Sequence, residues 1–269
     1  MPSGAMQATL WSERAADWAD VMEGWNGWGV PVYRHVLEHV PVGTATALLD
    51  VGCGAGRFAR MAADRGANVS GLDATEALLA FARERVRSGD FREGDLESLP
   101  WPDSCFDVVT GFNSFFIAAD LAEALAEARR VLRPGGWLAM SVFGAPERCD
   151  STTLFAAVMA LLDRGGPGGG GHALHAEGVL EQVVRDAGFS GSEGHFFAFE
   201  ERHPDVATLV RGMMAAPPMI RAGRTAGDDA VRRALTEAAA AFARDGGEVV
   251  LSEELRVVTA RAGQPANGQ

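Results

Sequence analysis

The nine residues Leu48-Leu49-Asp50-Val51-Gly52-Cys53-Gly54-Ala55-Gly56 constrain this chain more than any other stretch. A short apolar run ends in three glycines spaced by single residues, and residues 57–65 then read as a helix. Glycine lets the backbone turn sharply and come close to a ligand. The helix that follows presents unpaired N–H groups and a partial positive charge toward whatever sits at the turn. In open α/β sheets ligands gather outside the carboxyl ends of the strands, which is where this turn falls.

The surrounding pattern extends that unit. Residues 45–51, 68–72, 90–94, 106–112 and 137–143 read as strands, being short apolar runs bounded by turn residues. Helices are expected between them at 57–65, at 76–87 behind the N-cap Thr75, and at 121–132, where Pro134-Gly135-Gly136 stops the run. Strands alternating with helices through short loops imply a mostly parallel sheet covered on both faces, an α/β architecture. The flanks are less regular. Residues 1–8 read as a loose tail and 9–24 as a helix broken by the glycines at 24–29; Pro31 opens a second short helix to about residue 40. Beyond the sheet, helices are expected at 152–162, 176–187, 204–216 and 228–244, and strands at 193–200 and 248–260. The domain expectation is a helical lid over 1–40, the sheet domain over 41–262 with a helical insert at about 201–246, and a disordered tail over 263–269.

Two acids narrow the ligand. Asp73 ends the second strand 17 residues after Gly56 (73 − 56), where a carboxylate can accept hydrogen bonds from both hydroxyls of a ribose. Asp95, followed by Leu96 just after the third strand, is placed to take an adenine amino group and one ring face. A plain turn aspartate and a solvated loop are the alternatives. A dinucleotide is disfavoured: its fingerprint needs glycine at position 57, where this chain has Arg57.

Composition removes other classes. All 24 basic residues are arginine, so lysine Schiff-base chemistry and the P-loop lysine are both absent. The net charge of −12, without clustered basic residues, argues against a nucleic-acid partner. No apolar run reaches the ~18 residues of a membrane span. The N-terminus lacks the basic-then-apolar order of a secretory signal. Cys53, Cys105 and Cys149 have no metal spacing and read as free thiols of a cytoplasmic protein.

The segments LLDVGCGAGRFA, VSGLDAT, EGDLESLPWPDSCFDVVTGFNS and RRVLRPGGWLAMSVFG resemble, in order and spacing, the motifs of class I S-adenosylmethionine-dependent methyltransferases. They are most similar to the small-molecule enzymes of quinone and secondary-metabolite biosynthesis. The resemblance covers about residues 46–143, with weaker similarity over 9–40 and 190–260. It implies a Rossmann-like, seven-stranded, mostly parallel sheet with an antiparallel last strand. It also implies site roles, position by position. Gly52, Gly54 and Gly56 surround the methionine part of S-adenosylmethionine, and Asp50 supports their loop. Asp73 holds the ribose hydroxyls and Ala74 lies beside the adenine. Asp95 and Leu96 clasp the adenine, and Phe112 and Asn113 line the space near the sulfonium. N-terminal helices cover the site in similar enzymes.

The expected activity is methyl transfer to a small hydrophobic or aromatic molecule at an oxygen, nitrogen or carbon. The alternatives are a relative that binds the cofactor for a non-methylating step such as cyclisation, and a non-catalytic binding protein. Methyl transfer needs a base only when the acceptor must lose a proton. His172 and His175, flanking the glycine run 165–171, are the candidates, with surface-loop residues as the alternative. His35 and His39 sit four apart on one helix and read as a solvated face, with no third metal ligand in view; no metal is expected. Trp18, Trp25, Trp28 and Phe116 are candidates for the substrate pocket, against helix packing for the tryptophans. The glycine run is either a lid hinge or a neutral insertion. A monomer or homodimer is expected.

Overall fold

The computed structural model describes residues 3–24, 26–162 and 174–263. Its strands are β1 (Ala47–Val51), β2 (Asn68–Asp73), β3 (Asp90–Glu93), β4 (Phe106–Phe112), β5 (Leu132–Phe143), β6 (Phe189–His203) and β7 (Val249–Ala262). They form one sheet in the order β3-β2-β1-β4-β5-β7-β6. All neighbours are parallel except β7, which runs antiparallel to β5 and β6. The expected sheet is therefore present, its antiparallel strand included. Chain order reverses between β1 and β4, so a crevice opens at their carboxyl ends beside the glycine turn.

The helices are α1 (Ser3–Ser12), α2 (Ala15–Asp17), α3 (Val30–His39), α4 (Arg57–Ala63), α5 (Glu76–Arg85), α6 (Leu121–Val131), α7 (Ser151–Ala160), α8 (Val179–Asp186), α9 (Val206–Met213), α10 (Pro217–Ala226) and α11 (Asp228–Ala239). The central strands are apolar on both faces because helices cover both. Leu48, Val108 and Ala139 join a core with α3, α4 and α5 on one side. Leu49, Val109 and Leu138 join a core with α6 and α8 on the other. A third core unites α7, α9, α10 and α11 with Val249 and Leu251 of β7. These helices lie above the carboxyl end of the sheet's far half.

Five features depart from expectation. β5 starts at Leu132 rather than 137 and runs through Pro134-Gly135-Gly136, because Leu132 already pairs with Phe106 ahead of a register shift. The stretch read as a loose tail is helical from Ser3, and Leu10 of α1 is buried. Residues 9–24 are not one helix: a break after α1 leads to α2 and then to a π-helical turn, Trp18–Met22. α10 was not expected between the helices at 204–216 and 228–244; Pro217 and Pro218 open it, where a missing N–H costs nothing. β6 is longer than residues 193–200, because it pairs with β7 from Phe189, opposite Ala262, to His203, opposite Val249. The glycine run 165–171 and the tail 264–269 lie outside the described residues.

Candidate functional site

The glycine turn is held by its neighbour strand. Gly52 N and Cys53 N both donate to the Leu72 carbonyl, at 2.7 and 2.9 Å. Gly54 N donates to Asp73 Oδ2 at 2.9 Å, while Asp73 Oδ1 accepts from Thr75 N at 3.0 Å. The turn needs glycine because φ is positive at Gly52, Gly54 and Gly56 (73°, 53° and 80°). At Gly56 a Cβ would lie 2.8 Å from both Cα and Cβ of Ala82, so the turn also packs directly on α5.

Asp50 comes from β1 into the same spot. It is buried, and its Oδ1 accepts from Thr110 Oγ1 at 2.8 Å. Burial pushes its carboxyl up to about 8, and the nearby Glu23 and Asp73 carboxylates add to the rise. Asp73 is pushed up to about 6, again by burial first and then by Glu23. The site is thus an acidic cluster that resists ionising all its members at once.

Glu23 and Tyr33 belong to this site and were not found in the sequence. Glu23 Oε1 accepts from Ala55 N at 2.9 Å and from Trp18 Nε1 at 2.8 Å, and Oε2 accepts from Arg57 N at 3.3 Å. Arg85 stands 3.6 Å from Oε2. Burial raises the Glu23 carboxyl as well. Tyr33 packs edge-on against Phe112 and Phe58, and its hydroxyl is held far above its usual range by burial and by the Glu23 and Asp50 charges. The only sequence signal for Glu23 was a carboxylate in the apolar stretch Val21-Met22-Glu23-Gly24.

At the ends of β3 and β4 the expected residues separate into two kinds. Asp95 turns its loop by accepting from Glu97 N at 3.0 Å, and Leu96 is buried beside it. Phe112 places its ring between Tyr33 and Phe58, with centroids at 4.7 and 4.6 Å, and so contributes to the core under α3 and α4. Asn113 has a positive φ of 51°, uncommon for a side chain with Cβ and a frequent mark of functional turns. Its Oδ1 accepts from Ser141 Oγ at 3.3 Å, but its buried Nδ2 has no hydrogen-bond partner among the described residues. The buried Thr75 hydroxyl, next to the half-buried Ala74, is likewise unpartnered. Two orphaned buried polar groups and a turn stripped of Cβ atoms fit a polar, nucleoside-like ligand lying across the ends of β1, β2 and β4.

The expected substrate-pocket residues divide. Trp28 lies 5.8 Å from Phe143 and 6.1 Å from Phe199, and Phe116 lies 5.6 Å from Phe143. These four rings form an aromatic wall beyond β5, and Phe143 remains 46% exposed. Phe199 continues into an open cleft lined with Arg148, Glu253 and Glu254. Glu253, which accepts from Ser151 N and Oγ at 2.8 and 2.9 Å, is pushed up to about 7 by burial and by Glu201. Trp18 is elsewhere: it packs on Trp11 and against α5, serving the Glu23 contact. Trp25 and His172 lie outside the described residues. His175 sits in the turn before α8, the helix on the sheet face opposite Trp28 and Phe199. His35 does not face solvent alone: its Nε2 is 2.5 Å from His195 Nε2, fastening α3 to β6. Among the described residues no group of three or more His, Cys, Asp or Glu is arranged to hold a metal ion, and no helix is long and apolar enough to cross a membrane.

Comparison with known proteins finds methyltransferases. Residues 49–140 match the family model described as a methyltransferase domain. The chain is 38% identical over 108 residues to a malonyl-[acyl-carrier protein] O-methyltransferase of Pectobacterium atrosepticum, covering 40% of this chain and 43% of that one. It is 37% identical over 144 residues to a demethylmenaquinone methyltransferase of Deinococcus radiodurans, covering 50% and 55%. The match thus spans about half the length of these relatives. In fold it is similar to the YcgJ protein from Bacillus subtilis, with a TM-score of 0.58 at 19% identity, covering 88% of this chain and 100% of that one.

Proposed function

We propose that this chain, whose residues 49–140 match a methyltransferase domain, moves the methyl group of S-adenosylmethionine to a small, apolar or aromatic acceptor. The observation that carries this is the Asp73 carboxylate, bonded to Gly54 N at the head of the glycine turn, with an aromatic wall beyond β5. Asp73, Ala74, Asp95 and Leu96 would hold the adenosine. Gly52, Gly54 and Gly56 would lie along the methionine part, with Asp50 fixing their turn from below. Asn113 Nδ2 and Thr75 Oγ1 offer unspent hydrogen bonds to the same ligand.

The bound cofactor supplies an activated methyl group, so the protein's task is to orient the acceptor and exclude water. Trp28, Phe116, Phe143 and Phe199 would seat an apolar acceptor by burying its surface. Their faces also favour a cationic neighbour. Names of the relatives bear on the acceptor class only: a malonyl group carried on a protein in one, a demethylated quinone in the other. The aromatic wall suits the second type better. We place the reaction in the cytoplasm, as three free thiols, one of them buried, suit a reducing compartment. We propose a monomer or homodimer.

Supplying cofactor with a radiolabelled methyl group and a panel of quinones and aromatic phenols tests this. Label should appear in the acceptor. Cofactor binding by calorimetry without label transfer to any acceptor would favour a non-methylating step on the same fold, and no binding of S-adenosylmethionine or S-adenosylhomocysteine would end both readings.

A further inference from the structure

Glu23 is brought to the glycine turn by an unusual piece of backbone. In the π-helical turn Trp18–Met22 the Glu23 amide reaches back to the Trp18 carbonyl at 3.0 Å. The wide turn sets the Glu23 carboxylate beside the Trp18 indole, whose Nε1 donates to Oε1 at 2.8 Å. Such turns recur at functional sites. The carboxylate then lies directly over the glycine turn. It takes Ala55 N and Arg57 N, and it fills the space where a side chain at Gly54 would project.

Its acceptor capacity is not exhausted. Oε1 takes two donors, Trp18 Nε1 and Ala55 N, whereas Oε2 takes the Arg57 amide at 3.3 Å with the Arg85 guanidinium 3.6 Å away. A carboxylate oxygen accepts about two hydrogen bonds. Glu23 also shares the turn with Asp50 and Asp73, and each of those carboxyls responds to its charge. A cation introduced among these three acids relieves their mutual repulsion. The cofactor of the proposed reaction has a primary α-ammonium on its methionine end, the end that lies along the glycine turn.

We propose that Glu23 receives the α-ammonium group of S-adenosylmethionine and so couples the N-terminal helices to cofactor binding. This rests on the cofactor reading above. The ammonium donates to Glu23 Oε2, and the Trp18 and Ala55 contacts keep the carboxylate aimed at it. Glu23 is a binding and positioning residue, not a proton acceptor in the transfer.

The test is calorimetry on the full chain with three ligands: S-adenosylmethionine, its analogue lacking the α-amino group, and 5′-methylthioadenosine, which lacks the amino-acid end. For the wild-type chain, removal of the α-amino group should weaken binding about 10- to 100-fold, as for a charge-assisted hydrogen bond. Glu23→Gln should weaken S-adenosylmethionine by a similar factor, change methylthioadenosine by less than about threefold, and abolish the difference between S-adenosylmethionine and its deaminated analogue. Equal loss for all three ligands would reduce Glu23 to a brace for the turn and overturn the proposal. Unchanged or tighter S-adenosylmethionine binding would overturn it too. If Glu23→Gln does not fold, the wild-type comparison decides: equal affinity for cofactor and deaminated analogue refutes an ammonium contact. A wild-type chain that binds none of the three fails the cofactor reading itself, a result distinct from binding that ignores the α-amino group.

Discussion

Asp73 Oδ2 accepts the Gly54 amide while Asp73 Oδ1 accepts the Thr75 amide, so one carboxylate ties the turn after β1 to the start of α5. Each oxygen keeps a second lone pair for a ligand. Replacing Asp73 by Asn puts an NH2 group opposite one of these backbone N–H donors and removes one acceptor from the ribose. Loss of a bidentate, charge-assisted contact is worth roughly 2–4 kcal/mol, or about 30- to 1000-fold in affinity. Asp73→Asn should therefore bind S-adenosylhomocysteine that much more weakly by calorimetry. A change under threefold would mean that the ribose lies elsewhere.

Gly54 and Gly56 should fail differently when replaced by Ala. At Gly56 the new methyl would meet the Ala82 backbone at 2.8 Å, with φ at 80°, and α5 cannot yield cheaply. Strain plus overpacking of that kind costs about 2–4 kcal/mol. At Gly54, where φ is 53°, the methyl meets the end of the Glu23 side chain rather than backbone, so it displaces the carboxylate from the turn. Denaturant melts of Gly56→Ala should show a large loss of stability. Gly54→Ala should lose less stability and more cofactor affinity. The reverse order would contradict the packing described here.

Asp50 should make the ligand-free chain less stable as pH rises. Its carboxyl is pushed up to about 8, above its ordinary 3.8, so the folded state holds this proton more tightly than the unfolded state. Stability falls with pH wherever the native state binds more protons, here between about 4 and 8. Asp50→Asn removes that dependence yet keeps an oxygen to accept from Thr110 Oγ1. The two proteins should have similar urea midpoints near pH 4, and the variant should be ahead at pH 8 by on the order of a few kcal/mol. Parallel curves across that range would show that Asp50 is ionised when folded.

The parts legible in the sequence were those set by local chemistry. β1 and β2 are apolar runs bounded by glycine and acid, and the structure keeps them within two residues of expectation at Ala47–Val51 and Asn68–Asp73. Asp73 could be placed because a strand fixes its distance from the glycine turn. Glu23 could not, because its partners Ala55 and Arg57 lie 32 and 34 residues away and meet it through packing alone. The tryptophans show the same limit. Trp18 and Trp28 are close in sequence, but the π-helical turn and the break before α3 send one to α5 and the other to the aromatic wall. Phe143 and Phe199, which complete that wall, come from strand ends whose facing depends on register.

Arg256 and Glu181 offer a test remote from the cofactor. Arg256 in β7 is 2% exposed, pairs with Glu181 of α8, and stacks 4.5 Å from the centroid of the Phe196 ring. Arg256 Nε and Glu181 Oε2 are buried without hydrogen-bond partners among the described residues, so the pair is incompletely satisfied. Removing one partner strands a buried charge, at a cost of about 3–5 kcal/mol, whereas replacing both with apolar residues is often neutral. Glu181→Leu should lower the melting temperature by roughly 6–20 °C, at about 2–4 °C per kcal/mol for a chain of this size. The double variant Glu181→Leu with Arg256→Met should recover most of that loss, and both should bind S-adenosylhomocysteine like the wild type. If the double variant melts no higher than Glu181→Leu, the pair's geometry rather than its stranded charge holds α8 on the sheet.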